Sequence, residues 1–315
     1  MHKGNTAMNA TAAKPRIGFI GLGLMGHGIA KNLVGKGFPL TVRVHRNRRP
    51  LEDILAAGAA EVATNADVAR ASDIVFLCVT GTPQVEAVVY EADGLLGAAR
   101  EGLIVVDTST AEPASTAAIR ADFRVKHAEF VDAPLARTPK EAEEGRLNIM
   151  VGAEDAVFER LKPVLGAFCE NIIHAGPPGH GHTIKLINNF LAMSIATSTA
   201  EAMATAAKAG VSLPKLHEVI SAGAVNSGIF QLLVGRMLAD GDLAGLKFTL
   251  VNAMKDLRYY THLAESLPTS ALLGEAVHQT MVQANLLGFG DRYIASLLEA
   301  QEKLAGVKIV PRGNP

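Results

Sequence analysis

The sequence predicts an α/β protein with a doubly wound parallel sheet in its N-terminal half and an all-helical C-terminal half. Three observations predict this fold class. Short apolar runs alternate with helical patterns up to about residue 178, and a glycine-rich turn joins the first run to the first helix. Strand-like patterns almost disappear from about Gly181 onward. The chain of 315 residues is long enough for two domains.

Buried strands are predicted wherever a short apolar run stands between turn residues in the N-terminal half. The strand candidates are Arg16–Ile20, Leu40–His45, Ile74–Val79, Leu103–Asp107, Glu129–Asp132, Leu147–Val151 and Asn171–His174. Helical patterns separate most of them, so the strands are expected to run parallel, with helices on both faces of the sheet.

Helices are predicted between these strands, and two of them have recognisable ends. Thr82 supplies a capping hydroxyl before Pro83 at a first helical position, and Gly37 follows Lys36 where a helix should end. The helix candidates of this half are Met25–Lys36, Leu51–Ala57, Pro83–Tyr90, Pro113–Ala121 and Glu154–Phe168.

The C-terminal half shows helical periodicity throughout. Its helix candidates are Gly181–Ala209, Pro214–Ala222, Phe230–Ala239, Leu250–Glu265, Ser270–Leu286 and Arg292–Leu304. We predict a flexible leader over residues 1–13, a sheet domain over residues 14–178 and a helical domain over residues 179–315. The Gly-Pro-Pro-Gly stretch at 176–179 marks the boundary between the two domains.

Composition excludes several classes of protein. A net charge of −1 argues against a general nucleic-acid binder, which would carry a basic face. The most apolar helix candidate, around Phe190–Ala207, is interrupted by polar residues, so we expect no membrane span. The leader lacks the apolar core of a secretory signal, and two cysteines are too few for a disulfide framework. These features predict a cytoplasmic protein.

The strongest motif is the G-x-G-x-x-G pattern at Gly21, Gly23 and Gly26, between a predicted strand and a predicted helix. Gly21 allows a tight turn, Gly23 lets the backbone approach a pyrophosphate, and Gly26 lets the helix pack against the sheet. The helix N-terminus then offers free N–H groups to the phosphates. The motif makes residues 14–178 a dinucleotide-binding Rossmann domain, with Leu22, Leu24 and Met25 of the turn also contacting the cofactor. The alternative is a glycine-rich turn that binds no ligand.

The end of the second strand indicates which dinucleotide is bound. An NAD site usually has an acidic residue about 20 residues after the glycines, and this chain has three arginines there instead. A guanidinium matches a 2′-phosphate, so we predict NADP in preference to NAD, with Arg46 as the main contact and Arg48 as the second. The alternative is a solvated basic loop.

Four blocks of sequence resemble the β-hydroxyacid dehydrogenase family, which includes 3-hydroxyisobutyrate dehydrogenase and tartronate semialdehyde reductase. The blocks are GFIGLGLMG, DAPLARTPKEAEEG, GHGHTIKLINN and the Lys255-Asp256-Leu257 triplet. The resemblance runs from Arg16 to about Leu304. It implies an active site in a cleft between the two domains, a substrate and dimerisation role for the helical domain, and a homodimer or homotetramer.

The resemblance also assigns roles to single residues. Lys185 matches the general acid/base of the family, and Asn189, one helical turn later on the same face, matches its substrate-orienting asparagine. An ammonium can stabilise the charge that hydride addition leaves on a carbonyl oxygen, and can supply the proton. Lys255 is implied to contact cofactor or substrate. Three strand-end residues are expected along the dinucleotide: Val79, Thr80 and Thr110.

The substrate block departs from the family pattern. After Asp-Ala-Pro the family usually has Ser-Gly-Gly, but this chain has Ala136, Arg137 and Thr138, similar to the sulfolactaldehyde reductase branch. A guanidinium can bind a carboxylate or sulfonate through two hydrogen bonds. We therefore predict a small anionic substrate, with Arg137 as a contact. The alternative is that Arg137 pairs with Glu141 or Glu144 outside the cleft.

Other functions remain open at this point. A decarboxylating enzyme of the phosphogluconate type and an imine-reducing enzyme share the architecture, and a dinucleotide-binding sensor would need no turnover. His180 and His182 have no Cys or acidic residue nearby at a metal-ligand spacing, so we expect no metal and place both on the surface or at the cleft entrance.

Overall fold

The computed structural model describes residues 13–43, 48 and 50–311. Its N-terminal half contains a mixed, mainly parallel sheet. The strands of that sheet are β1 (Ile17–Ile20), β2 (Leu40–Arg43), β3 (Ala60–Glu61), β4 (Ile74–Leu77), β5 (Ile104–Asp107), β6 (Glu129–Asp132), β7 (Leu135–Ala136), β8 (Leu147–Gly152) and β9 (Cys169–Gly176).

The strand order places the glycine turn at a reversal of the sheet. The order is β3-β2-β1-β4-β5-β6-β8-β7, and β9 pairs with β8. β1 therefore lies between β2 and β4, in parallel register with both. Ligands in doubly wound sheets bind outside the carboxyl ends of the strands where the order reverses. The predicted fold class is confirmed, although β8 runs antiparallel to β6 and β7.

Helices cover the sheet and build the second half of the chain. The helices before residue 180 are α1 (Gly26–Gly35), α2 (Glu52–Ala56), α3 (Asn65–Ala71), α4 (Thr82–Tyr90), α5 (Pro113–Val125), α6 (Pro139–Glu143) and α7 (Asp155–Leu165). Those that follow are α8 (His180–Lys208), α9 (Leu213–Ala222), α10 (Gly228–Phe230), α11 (Arg236–Asp240), α12 (Leu250–Ser266), α13 (Leu272–Ala284) and α14 (Leu297–Ala305).

Several elements differ from the prediction for local reasons. α3, α6, β3 and β7 are between two and seven residues long and have too few residues for a periodic pattern. The predicted helix at 230–239 is a π-helical segment, Gln231–Gly235, followed by α11. No helix in the described ranges is both long and apolar enough to cross a membrane.

Separate apolar cores lie in the two halves. Buried side chains on both faces of the sheet, such as Phe19 and Phe130, form the N-terminal clusters. A distinct cluster around Met193, Met237 and Leu257 forms the helical core. α8 contacts both halves, because it packs on β8 and on α12 and α14. The packing of α8 therefore determines how the GHGHTIKLINN segment, which contains Lys185, is oriented relative to the sheet. The exact domain boundaries at 14–178 and 179–315 stay a prediction.

Candidate active site

A cleft of about 640 Å³ lies between the strand ends and the helical half. Most of the residues predicted from the sequence to form the site meet there. Those that line it are Gly23, Leu24, Met25, Gly26, Val79, Thr80, Thr110, Ala136, Arg137, Thr138, Lys185, Asn189 and Lys255. Segments far apart in the chain thus form one continuous wall.

The glycine turn has the conformation that a pyrophosphate site requires. Gly21 has φ +105°, and a Cβ added there would lie 2.2 Å from the Cys78 carbonyl oxygen. A Cβ at Gly26 would lie 1.9 Å from the Gly21 carbonyl oxygen, so the turn closes on itself only with glycine at both positions. A Cβ at Gly23 would meet no atom of the described residues within 4 Å, so these residues leave open space above the turn. No side chain in the described part of the chain caps the start of α1, so a bound phosphate would complete that helix terminus.

Two residues of the turn do not line the cleft. Gly21 lies behind it, and the Leu22 side chain is buried in the core of the sheet. Leu24, in contrast, is 76% exposed on the cleft wall. The residues present therefore fit a dinucleotide, but direct contacts by Gly21 and Leu22 stay a prediction.

The predicted 2′-phosphate contacts are only partly described. Arg46 lies outside the described residues. Arg48 binds Glu61 at the end of β3 through two hydrogen bonds of 2.7 and 2.9 Å, and its side chain is 64% exposed. The basic loop therefore contains at least one arginine that already has a carboxylate partner.

Lys185 lines the cleft from α8. It is partly buried, and no described residue accepts a hydrogen bond from its amine. Burial lowers the pKa of Lys185; the nearby Asp256 carboxylate opposes this change, and the Lys255 ammonium adds to it. A lysine with a lowered pKa, in a cleft, is a candidate for proton transfer.

Asp256 organises the polar groups around Lys185. It is 2% exposed and accepts a 2.7 Å hydrogen bond from the Asn189 amide on one oxygen and a 2.6 Å ion pair from Lys255 on the other. Lys255 also donates to the Thr110 carbonyl at 3.3 Å and lies over the Tyr259 ring. Asn189 is therefore fixed by a carboxylate from α12, which fits its predicted orienting role.

We expect Asp256→Asn to lower the pKa of Lys185 further, because it removes the carboxylate that stabilises the ammonium. The pH midpoint of activity that reflects the titration of Lys185 should therefore fall, for reduction and for oxidation alike. Reduction, which uses the ammonium, should decline at lower pH than in the wild type, and oxidation, which uses the amine, should rise at lower pH. The midpoint of kcat/KM against pH measures the effect.

Glu201→Gln is the control for this charge change, because Glu201 is an exposed carboxylate on the same helix. Its pH midpoint should stay at the wild-type value. An unchanged or raised midpoint in Asp256→Asn would contradict the electrostatic role given to Asp256.

The substrate block has a different arrangement from the one expected. Arg137 has φ +81°, and its guanidinium pairs with Glu170 and donates to the Arg146 carbonyl. The alternative prediction, that Arg137 pairs with Glu141 or Glu144, is wrong. Glu141 accepts hydrogen bonds from Thr138, and Glu144 pairs with Arg146. Arg137 still lines the cleft, so its contact with substrate stays a prediction.

Both histidines before Lys185 were expected on the surface or at the cleft entrance, and for His182 this is wrong. His180 is exposed, but His182 is fully buried, with its imidazole 2.8 Å from the Thr116 hydroxyl. Its small neighbour Gly181 lets α8 approach the sheet closely enough to enclose the ring.

Several residues that line the cleft were not predicted from the sequence. The additional lining residues are Asn188, Lys247, Phe248 and Asn252. Asp256 also lines the cleft, but from the sequence it was noted only as a member of the Lys255-Asp256-Leu257 triplet and was given no role. The lining residues of the 229–252 segment belong to no recognisable sequence motif. Their place in the cleft follows only from the packing of α12 against α8. Cys78 also lines the cleft, and burial raises the pKa of its thiol to about 11, which disfavours the thiolate form.

Comparisons with known proteins follow the two halves of the chain. Residues 16–176 match the family model for the NAD-binding domain of 6-phosphogluconate dehydrogenase. Residues 179–300 match the model for the NAD-binding domain of NADP-dependent 3-hydroxyisobutyrate dehydrogenase.

Single relatives match over nearly the whole chain. The chain is 32% identical to 2-(hydroxymethyl)glutarate dehydrogenase of Eubacterium barkeri, over 93% of this chain and 97% of the relative. It is 29% identical to 3-sulfolactaldehyde reductase of Escherichia coli, over 92% and 97%. A crystal structure of 3-hydroxyisobutyrate dehydrogenase from Salmonella typhimurium superposes with a TM-score of 0.77 at 28% identity, covering 90% of this chain and 99% of that one.

Proposed function

Because this chain belongs to the β-hydroxyacid dehydrogenase family and is an oxidoreductase of CH–OH groups, we propose that it interconverts a small anionic 3-hydroxy acid, or a related hydroxy acid, and its semialdehyde. We further propose that NADP is its cofactor and that Lys185 is its general acid/base. The observation that carries the proposal is the position of Lys185: its amine has a lowered pKa and lines the same cleft as the glycine turn.

The residues of the cleft support a simple division of work. A reduced nicotinamide, when bound, supplies the hydride. The Lys185 ammonium donates a proton to the carbonyl oxygen as negative charge develops there, and in the oxidative direction the neutral amine accepts the alcohol proton. Asn189 orients the substrate, because Asp256 holds its amide in place. Lys255 is held by the same carboxylate and by the Thr110 carbonyl, at the strand ends where the cofactor is expected.

The charge of the cleft supports an anionic substrate. Among the described residues, the charged groups that line the cleft are the cations Arg137, Lys185, Lys247 and Lys255 and one acid, Asp256. Lys247 is exposed, and no carboxylate of the described residues lies within ion-pair distance of it. An excess of cations in a cleft attracts and retains negatively charged ligands. The relatives named for hydroxymethylglutarate and sulfolactaldehyde also act on small acids.

We expect Arg137→Ala to raise KM for an anionic semialdehyde and to change KM for a neutral aldehyde very little. The guanidinium would have to leave Glu170 to bind the substrate, so Glu170→Gln should have the opposite effect and lower the anionic KM. Steady-state kinetics of both variants on both substrates measures this. If the two variants instead raise KM for both substrates to the same extent, Arg137 serves only to hold the loop through its ion pair with Glu170.

The preference for NADP rests on the arginines after β2. Arg48 is exposed and can exchange its Glu61 partner for a 2′-phosphate, while Arg46 is proposed from the sequence alone. The proposal requires kcat/KM to be higher with NADPH than with NADH. Equal values with the two cofactors would remove it.

An apolar stripe on α8 supports a homodimer or homotetramer. Ile184, Ile187, Leu191 and Ile195 recur at helical spacing and are between 37% and 56% exposed. A contiguous apolar surface of this kind favours burial against another copy of the chain. Sedimentation equilibrium would overturn this proposal if the protein stayed monomeric at micromolar concentration.

A panel of short semialdehydes, assayed with both NADPH and NADH by loss of cofactor absorbance, tests the proposed function. We expect turnover of at least one anionic semialdehyde. Binding of cofactor without oxidation across the panel would indicate a sensor. Release of carbon dioxide from hydroxy acids, or turnover of imines only, would indicate the decarboxylating or the imine-reducing alternative.

A further inference from the structure

A buried polar cluster lies beneath the cleft, at the point where α8 begins. It consists of Asp107, Thr116, Asp132 and His182, which are at most 2% exposed and do not line the cleft. Burying such groups is costly unless they make specific contacts. We propose that Asp132 and His182 are positioning residues that fix the start of α8 against the ends of β5 and β6, and thereby fix the place of the Lys185 amine. This inference rests on the proposed function, which assigns proton transfer to Lys185.

Asp132 caps α8 from the sheet. One oxygen of its carboxylate accepts a 2.7 Å hydrogen bond from the Gly179 amide, and the other accepts a 2.8 Å bond from the His182 amide. Gly179 has no side chain with which to cap the helix, so the last residue of β6 takes over that function. A carboxylate at a helix N-terminus is also favoured by the helix dipole. The helix start is therefore fixed to a strand end.

His182 ties the same turn of α8 to two further elements. Its Nδ1 lies 2.8 Å from the Thr116 hydroxyl of α5, and its Nε2 lies 3.3 Å from the Ser109 carbonyl oxygen, just after β5. Nε2 is also 3.8 Å from Oδ2 of Asp107, an oxygen for which the described residues offer no hydrogen-bond donor. The imidazole therefore lies within ion-pair distance of this buried carboxylate oxygen.

The contact between α8 and the sheet leaves no room for a side chain at two glycines. A Cβ at Gly181 would lie 2.5 Å from the Met150 carbonyl oxygen and 2.9 Å from Oδ2 of Asp132. A Cβ at Gly152 would lie 2.6 Å from Oδ1 of Asp132. Glycine at both positions lets the carboxylate and the helix backbone meet directly. These contacts therefore hold the start of α8 close to the strand ends.

The cluster connects Lys185 to the strand-end loops. Lys185 follows His182 by three residues, about 4.5 Å along the helix axis. Ser109 lines the cleft, and its hydroxyl accepts a 3.0 Å hydrogen bond from the Val79 amide, at a loop expected to contact the dinucleotide. The same short chain of contacts therefore links the proton-transfer residue to the proposed cofactor site. A misplacement of about 1 Å at a catalytic group can cost 100-fold in rate.

The test compares His182→Leu with His182→Gln. Leucine fills the space without hydrogen bonds, whereas the glutamine amide can still bond to the Thr116 hydroxyl. We expect kcat of the leucine variant to fall by at least about tenfold, with the NADPH dissociation constant within about twofold of the wild type, and the glutamine variant to recover most of kcat. Thr64→Ala is the control, because it removes a helix cap at α3, away from the cleft. It should lower the melting temperature and leave kcat unchanged.

Wild-type kcat in His182→Leu would overturn the proposal. A loss of kcat in both histidine variants that only follows their folded fraction would show that the cluster serves stability alone, and would also overturn it. If His182→Leu does not fold, Thr116→Val removes one bond to the imidazole and is judged by the same two criteria.

A measurement without turnover separates this inference from the proposed function. Reductive ¹³C-methylation makes the titration of the Lys185 amine visible by NMR, and Lys185→Arg identifies its resonance. We expect the midpoint to differ between His182→Leu and the wild type and to return in His182→Gln. Identical midpoints in all three proteins would count against positioning even if no substrate has been found.

Discussion

Lys185→Ala should retain dinucleotide binding and lose turnover by roughly two to four orders of magnitude, the usual contribution of a general acid or base. The loss should appear in kcat, because the amine acts on charge that develops during the reaction and not on the bound ground state. Steady-state kinetics with the best semialdehyde of the panel, together with NADPH titration, measures both quantities.

Lys208→Ala is the matched control for this variant. Lys208 lies at the exposed end of the same helix, and its amine donates to the Ala305 carbonyl far along the chain. Its kcat should stay at the wild-type value. Near-normal turnover in Lys185→Ala would remove the proton-transfer role, and a loss of cofactor binding would give the residue a different one.

Gly23→Ala should weaken dinucleotide binding by at least about tenfold, or roughly 1.4 kcal/mol, without destabilising the fold. The added methyl group meets no atom within 4 Å in the part of the chain that the structure describes, so its cost should arise only when a pyrophosphate approaches the turn. Titration with NADPH and thermal unfolding of the free protein separate these two effects.

Gly35→Ala is the control on the same helix. It too meets nothing within 4 Å, but it lies at the far end of α1, away from the cleft. Its NADPH affinity should equal that of the wild type. If Gly23→Ala binds NADPH normally, the pyrophosphate does not approach the turn at this point.

Local patterns were sufficient to predict most of the fold. The alternation of strands and helices, the glycine turn after β1 and the long α8 all have short-range signals, and each appears within a few residues of its predicted bounds. The short elements carried no such signal. The sequence of β8 does not show the direction in which the strand runs. That direction is set by its antiparallel pairing with β6 and β7.

The residues that meet in the cleft were predicted from the sequence where a motif marks them. Lys185 and Asn189 share a helix face, and the sequence blocks around them are specific. Their partners could not be predicted, because each partner lies far away in the chain: Asn189 and Asp256 are 67 residues apart, and Asp132 and His182 are 50 apart. The pairing of Arg137 with Glu170 likewise depends on how β8 and β9 pack together. Spacing in the sequence does not encode such contacts.

A crystal structure of the complex with NADP and an unreactive analogue of the best substrate tests the central claim most directly. The account predicts the Lys185 amine within about 3 Å of the oxygen of the reacting carbon, and the nicotinamide ring stacked within about 3.5 Å of that carbon. A complex in which the amine points away from the substrate, or in which the ring binds outside the cleft above Gly23, would contradict it.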